Sequence, residues 1–264
     1  MTASKLEVAG LSKYFFGHEG EIRKVLDGIN VAIADGEFVC IVGASGCGKT
    51  TFLRCVAGLI PAEEGDIRID GRTVTGPGPD RGFVFQNDSL LPWRTVMHNV
   101  LFGLEVRGRP YAETRPAGEA LLKLVGLNGF GDHYPSELSG GMRQRVNLAR
   151  ALAVDPEVLL MDEPFAALDA QTREIMQREL LKIWNQRRKT VLFITHQIDE
   201  AVYLADRVLV FSYRPGRLTA DIQVPFARPR ELALKRDPAF IGIVDQVWKL
   251  IEEEVVLAMN VQPD

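Results

Sequence analysis

The sequence predicts an α/β fold with a mainly parallel core sheet, an N-terminal antiparallel β-subdomain and an inserted helical subdomain. Three observations carry that expectation. Short, wholly apolar runs alternate with helical patterns, as a parallel sheet covered by helices on its faces requires. Near the N-terminus apolar residues instead alternate with polar ones, the period of a half-buried antiparallel strand. Between about Asn87 and Asp155, helical patterns and loops run without a convincing buried strand.

In chain order, alternation at Leu6 to Leu11 and at Ile29 to Ile33 predicts two antiparallel strands, with His18-Glu19-Gly20-Glu21 as a hairpin loop between them. Phe38-Val39-Cys40-Ile41-Val42 predicts a strand covered on both faces. Gly82-Phe83-Val84-Phe85, Val158-Leu159-Leu160-Met161 and Thr190-Val191-Leu192-Phe193-Ile194-Thr195 predict three more. In Gln171 to Lys189, Met176, Leu180, Ile183 and Trp184 share one helical face, a packing stripe. Pro77-Gly78-Pro79 and Tyr134-Pro135 mark turns. After Val224, Pro225, Pro229 and Pro238 interrupt the pattern before an amphipathic helix from Phe240 to Met259.

A chain of 264 residues, 46% hydrophobic and 25% charged, suits one large α/β domain or two closely joined subdomains. A net charge of −4 speaks against a nucleic-acid partner, which calls for a basic excess. Cys40, Cys47 and Cys55 match no zinc spacing, and their odd number argues against a disulfide framework, so a reduced, cytosolic setting is expected. The opening Met1-Thr2-Ala3-Ser4-Lys5-Leu6-Glu7 shows no basic segment leading into an apolar run, so no secretory signal is expected. No apolar stretch approaches the ~20 residues that span a bilayer. Work at a membrane would need another subunit to carry the chain there.

Gly43-Ala44-Ser45-Gly46-Cys47-Gly48-Lys49-Thr50 satisfies the phosphate-loop pattern G-x-x-x-x-G-K-[ST], between an apolar strand and a helix expected from Thr51 to Ala57. The glycines let backbone N–H groups turn inward around phosphates, and the helix N-terminus adds a favourable dipole. Lys49 would reach the β- and γ-phosphates of ATP and the Thr50 hydroxyl would ligate Mg²⁺. Residues Gly43 to Thr50, with Thr51 opening the helix, are therefore the expected nucleotide contacts. A chance match in this chain has odds of roughly 1 in 100. Its flanks favour the phosphate loop over a plain Gly-rich turn with an exposed lysine.

Val158-Leu159-Leu160-Met161-Asp162-Glu163 is a buried strand ending in two acids. Asp162 would hold Mg²⁺, directly or through water, opposite Thr50. Glu163 would face the γ-phosphate and position or deprotonate the attacking water. Alone, such a pair reads as a solvated acidic cap; behind a phosphate loop it reads as catalytic.

Leu138-Ser139-Gly140-Gly141-Met142-Arg143-Gln144-Arg145 places a hydroxyl and two glycine amides at a helix N-terminus, a second anion site. An N-cap by Ser139 explains the serine, but not a second phosphate-type site in one chain. This motif resembles the signature of the ATP-binding cassette (ABC) family, and the family's other marks follow in order. Gln86 is similar to the Q-loop glutamine. Ala167-Leu168-Asp169 is similar to the D-loop, with Ala167 where serine is common. His196 is similar to the switch histidine, and Phe15, or its neighbours Tyr14 and Phe16, to the ring that stacks on adenine.

The resemblance runs from about Leu6 to Val224. It implies one nucleotide-binding domain over 1–264 with the P-loop NTPase cassette fold. An α/β core with its β-subdomain would occupy 1–86 and 156–224, a helical signature subdomain 87–155, and a helical tail 225–264. It also implies a head-to-tail dimer in which each ATP lies between one chain's Lys49 loop and the other chain's Ser139-Gly140-Gly141, with Asp169 at the shared site. ATP would close that dimer and hydrolysis reopen it. Gln86 would sense Mg²⁺ and the attacking water, and His196 would contact the γ-phosphate. His18, His98 and His133 match no such motif and read as packed or solvated.

A single cassette without fused membrane spans resembles a bacterial importer subunit. Gln86-Asn87-Asp88-Ser89-Leu90-Leu91-Pro92-Trp93-Arg94-Thr95-Val96, Asn99-Val100, Gly103-Leu104-Glu105, Pro77 to Arg81 and Arg214-Pro215-Gly216-Arg217 are similar to the nitrate/sulfonate/taurine (bicarbonate) importer group. There Leu90, Leu91, Pro92 and Trp93 would dock a helix of an integral membrane permease; packing of Leu90 and Trp93 within the helical subdomain is the other reading. The tail after Val224 is too short for the extra β-domain of sugar-importer ATPases. The implied partners are a second copy, permease subunits and, indirectly, a periplasmic or extracellular substrate-binding protein. The implied place is cytoplasmic, on the inner face of the membrane. An exporter ATPase would carry the same motor residues. A soluble ABC machine would add long coiled coils or a second cassette, and a phosphate-loop kinase would lack the motif from Leu138 to Arg145.

Overall fold

The computed structural model describes residues 4–17, 20–87, 89–186 and 188–260, with side chains as far as 256. Met1, Thr2 and Ala3 of the opening segment, His18 and Glu19 of the expected hairpin loop and Asp88 of the importer-like stretch lie outside the described residues. In chain order the elements are β1 (Ser4–Phe16), β2 (Ile22–Ala34), β3 (Phe38–Gly43), α1 (Lys49–Val56), β4 (Glu64–Ile69), β5 (Arg72–Thr73), β6 (Arg81–Val84), α2 (Val96–Val100), α3 (Phe102–Val106), α4 (Tyr111–Leu124), α5 (Gly140–Ala153), β7 (Val158–Asp162), α6 (Ala170–Gln186), β8 (Thr190–Ile194), α7 (Ile198–Leu204), β9 (Arg207–Phe211), β10 (Leu218–Gln223) and α8 (Pro238–Asn260). They form two compact units, Met1–Gly78 with Arg188–Asp264, and Pro79–Arg187.

In the first unit, β2-β1-β4-β5 form an antiparallel sheet. Leu6, Val8 and Leu11 of β1 and Ile29, Val31 and Ile33 of β2 turn into the core, as the alternation predicts. Both strands run past the alternating segments, from the Ser4↔Ala34 pair to Phe16↔Ile22. The buried strand β3 lies between β8 and β9 and parallel to both, with Cys40 opposite Phe193 on one side and Val208 on the other. Its residues Phe38 to Val42 are buried, as a strand covered on both faces must be. Strand β10 runs antiparallel to β9. Helix α8 contributes Phe240, Val247 and Ile251 to the core, one stripe of an amphipathic helix. Strands β4, β5, β9 and β10 are additions to the elements expected from sequence.

In the second unit, β6 and β7 pair in parallel from Arg81↔Val158 to Val84↔Met161. Between them in sequence lie α2 to α5, packed through Val96, Met97, Val100, Leu101, Leu122, Val146 and Leu148. The predicted stripe of α6, Met176, Leu180, Ile183 and Trp184, is buried. Its described helix runs to Gln186; Arg187 lies outside the described residues, and Arg188 and Lys189, where the helical pattern is expected to continue, are not helical. Among the described residues no helix is long and apolar enough to cross a membrane.

Candidate functional site

In the first unit β3 delivers the chain into the loop from Gly43 to Gly48, and α1 begins at Lys49, earlier than the expected Thr51. Two glycines are there for space. A Cβ at Gly43 would stand 2.7 Å from the Phe211 carbonyl oxygen, and one at Gly48 (φ 99°) 2.8 Å from Leu26 Cδ2. Starting the helix at Lys49 aims its unpaired N-terminal amides at the loop. Lys49 is only 7% exposed. Its Nζ donates to the carbonyl oxygens of Gly43 (2.8 Å) and Ala44 (3.0 Å), folding the ammonium back along the loop. Ser45 and Gly46 are exposed at the tip. Burial pushes the thiols of Cys40 and Cys47 up and that of Cys55 to about 11, so the crowded cysteines are packing residues that stay protonated at neutral pH.

His196 is exposed just beyond β8. Its turn is fixed by a buried pair that sequence reasoning missed. The Thr195 hydroxyl accepts from the Gln197 N–H (3.0 Å) and donates to the Glu200 carboxylate. At the end of β1, Phe15 is 42% and Phe16 73% exposed. The Lys13 ammonium lies 5.1 Å from the Phe15 ring centre. Tyr14 is tied down instead, its hydroxyl donating to Glu64 (3.3 Å) with Lys24 over its ring.

In the second unit Asp162 is the last residue of β7 and only 4% exposed. Glu163 follows with φ of 45°, a left-handed conformation that costs a non-glycine residue roughly 1–2 kcal/mol. Gln86, exposed two residues past the end of β6, donates from Nε2 to Glu163 Oε2 at 3.4 Å. The structure thus brings together two of the predicted catalytic residues.

What holds Gln86 there was not foreseen. The Phe85 carbonyl accepts from Asn147 Nδ2 (3.2 Å) and Gln144 Nε2 (3.4 Å). Arg150 donates to the Ser89 carbonyl and to Asn147 Oδ1, both at 2.8 Å. Gln144, Asn147 and Arg150 are spaced by three on α5, one face of one helix. The same helix begins at the signature motif. Ser139 caps it, its hydroxyl accepting from the Met142 N–H at 3.3 Å, with Gly140 and Gly141 in the first turn. A Cβ at Gly141 would lie 3.3 Å from Leu168, so the Ala167-Leu168-Asp169 segment adjoins the signature. Asp169 accepts from the Thr172 N–H (3.0 Å), and that bond holds its carboxyl below the usual range.

The importer-like stretch divides. Leu90 is buried within the helical part, whereas Trp93 is 71% exposed. Buried Asn99 pins the turn between them, accepting from the Leu91 N–H (2.8 Å) and donating to the carbonyls of Leu91, Arg94 and Thr95. His98 and His133 keep packing roles, stacked on Tyr111 and against Phe130.

Residues 26–166 match the family model described as ABC transporter. The nitrate import ATP-binding protein of Synechocystis sp. is 47% identical over 252 residues, covering 93% of this chain and 94% of that protein. The taurine import ATP-binding protein of Rhizobium johnstonii is 50% identical over 251 residues, covering 93% and 96%. Among solved structures, the ATP-binding cassette MJ0796, a dimer in a post-hydrolysis state bound to ADP and Pi, matches with a TM-score of 0.75 at 33% identity, covering 84% of this chain and all of that one. With that match of fold, motif order and sequence, the chain belongs to the ABC transporter family and is one of its ATP-binding, ATP-hydrolysing cassettes.

Proposed function

We propose that the chain powers an importer for a small anion of the nitrate, taurine or sulfonate kind, as a head-to-tail dimer that ATP closes and hydrolysis reopens. One observation supports the dimer reading: each unit exposes one of the two glycine-rich segments that lead into a helix. The exposed tip of the phosphate loop belongs to the first, and the exposed Ser139-Gly140 at the start of α5 to the second. A single bound ATP needs one loop. A second donor set in the same chain has a use when it completes the site of another copy.

In this reading Gly43 to Thr51 hold the phosphates and Phe15 or a neighbouring ring stacks on adenine. Ser139, Gly140 and Gly141 of the second copy close over the γ-phosphate, beside Asp169. Thr50, Asp162 and Gln86 offer hard oxygen donors, the set Mg²⁺ prefers when nucleotide phosphates fill its other positions. The bound ion would offset charge on the β- and γ-phosphates. Glu163 would take the proton of the attacking water, with the Gln86 amide orienting its carboxylate, and His196 would steady the γ-phosphate. The 1–86 and 156–224 segments would act as core, 87–155 as the signature subdomain and 225–264 as a tail.

The import direction and the anion class draw support from the printed names of the nitrate and taurine import relatives. Exposed Trp93 on its pinned turn supports permease docking, which would place the chain on the cytoplasmic face of the membrane, served indirectly by a substrate-binding protein. The test is Glu163→Gln, purified and run by size exclusion with light scattering, with and without ATP. Retained ATP binding, an ATP-dependent shift to a dimer and a loss of turnover of at least about a hundredfold are expected. A chain that binds ATP yet stays monomeric, alone and with its permease, would overturn the shared site. The same variant in cells should stop uptake of nitrate, taurine or another sulfonate; normal uptake of all three would remove the cargo assignment.

A further inference from the structure

From Phe211, the last residue of β9, the chain runs on past the phosphate loop and touches it at three points. The Phe211 carbonyl lies against Gly43, so close that no side chain fits there. Gly216 packs against the Cys47 carbonyl oxygen, and any Cβ at 216 would overlap it. Between these contacts Arg214 Nε donates to the Gly46 carbonyl at 3.1 Å, and a Cβ at Gly46 would stand 2.9 Å from the guanidinium.

The strap that carries Arg214 is held on both sides. Gly216 N–H donates to the Val25 carbonyl (2.8 Å), and Asp27 N–H donates to the Gly216 carbonyl (3.0 Å). Arg217 Nε donates to the Asp27 carboxylate at 2.7 Å. The Ser212 hydroxyl closes the strap on itself, donating to the Pro215 carbonyl and accepting from the Arg217 N–H, both at 2.9 Å. On the far side the Tyr213 N–H donates to the Glu254 carboxylate of α8 at 2.7 Å. All these groups belong to one compact unit.

We propose that Arg214 is a positioning residue for the ATP phosphates, and that Glu254 on the C-terminal helix holds Arg214 in place. The reason lies in peptide geometry. In a planar trans peptide the C=O and the following N–H point in opposite directions. A cation that holds the Gly46 carbonyl outward therefore turns the Cys47 N–H inward, where it now makes a long 3.3 Å bond to the Ala44 carbonyl and can be re-aimed at a phosphate oxygen. A charge-assisted bond to that carbonyl fixes the loop before nucleotide arrives, which lowers the ordering cost of binding. The proposal rests on the nucleotide reading of the phosphate loop.

The experiment titrates fluorescent ATP and, separately, adenosine, without Mg²⁺, into the wild type, Arg214→Ala, Arg214→Lys and Glu254→Ala. Arg214→Ala should weaken ATP about tenfold, the scale of one charge-assisted hydrogen bond, with adenosine affinity unchanged and the melting temperature lowered by no more than that one bond's loss. Arg214→Lys keeps a cationic donor and should recover most of the loss; Glu254→Ala, one step removed, should cost about threefold. Wild-type ATP affinity in Arg214→Ala overturns the proposal. So does an equal loss of adenosine binding, which marks a merely structural strap. A wild-type chain that binds no ATP would instead remove the phosphate-loop assignment underneath.

Discussion

Glu163 is held in a left-handed backbone conformation at the end of a buried strand, where glycine would rest without strain. The residue closes a turn, its carbonyl accepting from the Ala166 N–H at 3.2 Å. Strain of this kind persists where the surroundings over-determine it, and here it aims a carboxylate toward the Gln86 amide. In the proposed function the side chain serves chemistry, while the left-handed backbone costs stability. Glu163→Gly separates them. It should leave stability unchanged or raise it by up to about 1 kcal/mol, while ATP turnover falls to the level of Glu163→Gln. Urea midpoints and phosphate release measure the two effects independently. A stability loss beyond about 1 kcal/mol would mean that the carboxylate, not the turn, fixes this backbone.

At the scale of the element, α5 joins two functions that sequence reasoning treats apart. Its N-terminus is the signature, and its face of Gln144, Asn147 and Arg150 clamps the segment carrying Gln86. Asn147 is fully buried and bonded at both ends of its amide. Asn147→Ala leaves Arg150 without one acceptor and weakens the hold on the Phe85 carbonyl. It should cost about 1–3 kcal/mol in stability and slow hydrolysis more than it weakens ATP binding. Equal losses in kcat and ATP affinity would argue against a role confined to Gln86. The motifs were legible in sequence because phosphate and metal chemistry restrict residue type at fixed spacing. The roles of Asn147, Glu200 and Arg214 were not, because each acts on a backbone or hydroxyl group that spacing alone does not reveal. Strands show the same division. Strands β3, β7 and β8 stand out as bounded apolar runs. Strand β9 is equally buried, but its apolar run is only Val208 to Phe211 and it follows the buried helix α7 after just Ala205 and Asp206, and periodicity alone does not tell so short a run from a buried helix segment. Strand β4 offers only Ile67 and Ile69, and its pairing with Val8 and Leu6 of β1 makes it a strand.

For the whole molecule the question is whether the two anion sites proposed at Lys49 and Ser139 serve a chain's own nucleotide or its neighbour's. In a head-to-tail dimer, each site takes Lys49 from one chain and Ser139 from the other. Lys49→Ala disables the first contribution and Ser139→Arg the second, so each variant alone should bury a defect in both sites of its homodimer and fail to hydrolyse ATP. Mixing them changes the arithmetic. In a mixed dimer both defects fall in one site, and the other combines an intact Lys49 with an intact Ser139. Random pairing makes half the dimers mixed, each with one working site, so activity should return to at most about a quarter of the wild-type rate. A site built within one chain gives no such recovery, because every chain in the mixture carries a defect of its own. Phosphate release from the separate variants and from their equimolar mixture, at a fixed total protein concentration, decides the matter. Recovery would assign each ATP to two chains, and its absence, with dimers demonstrably present, would return both anion sites to one.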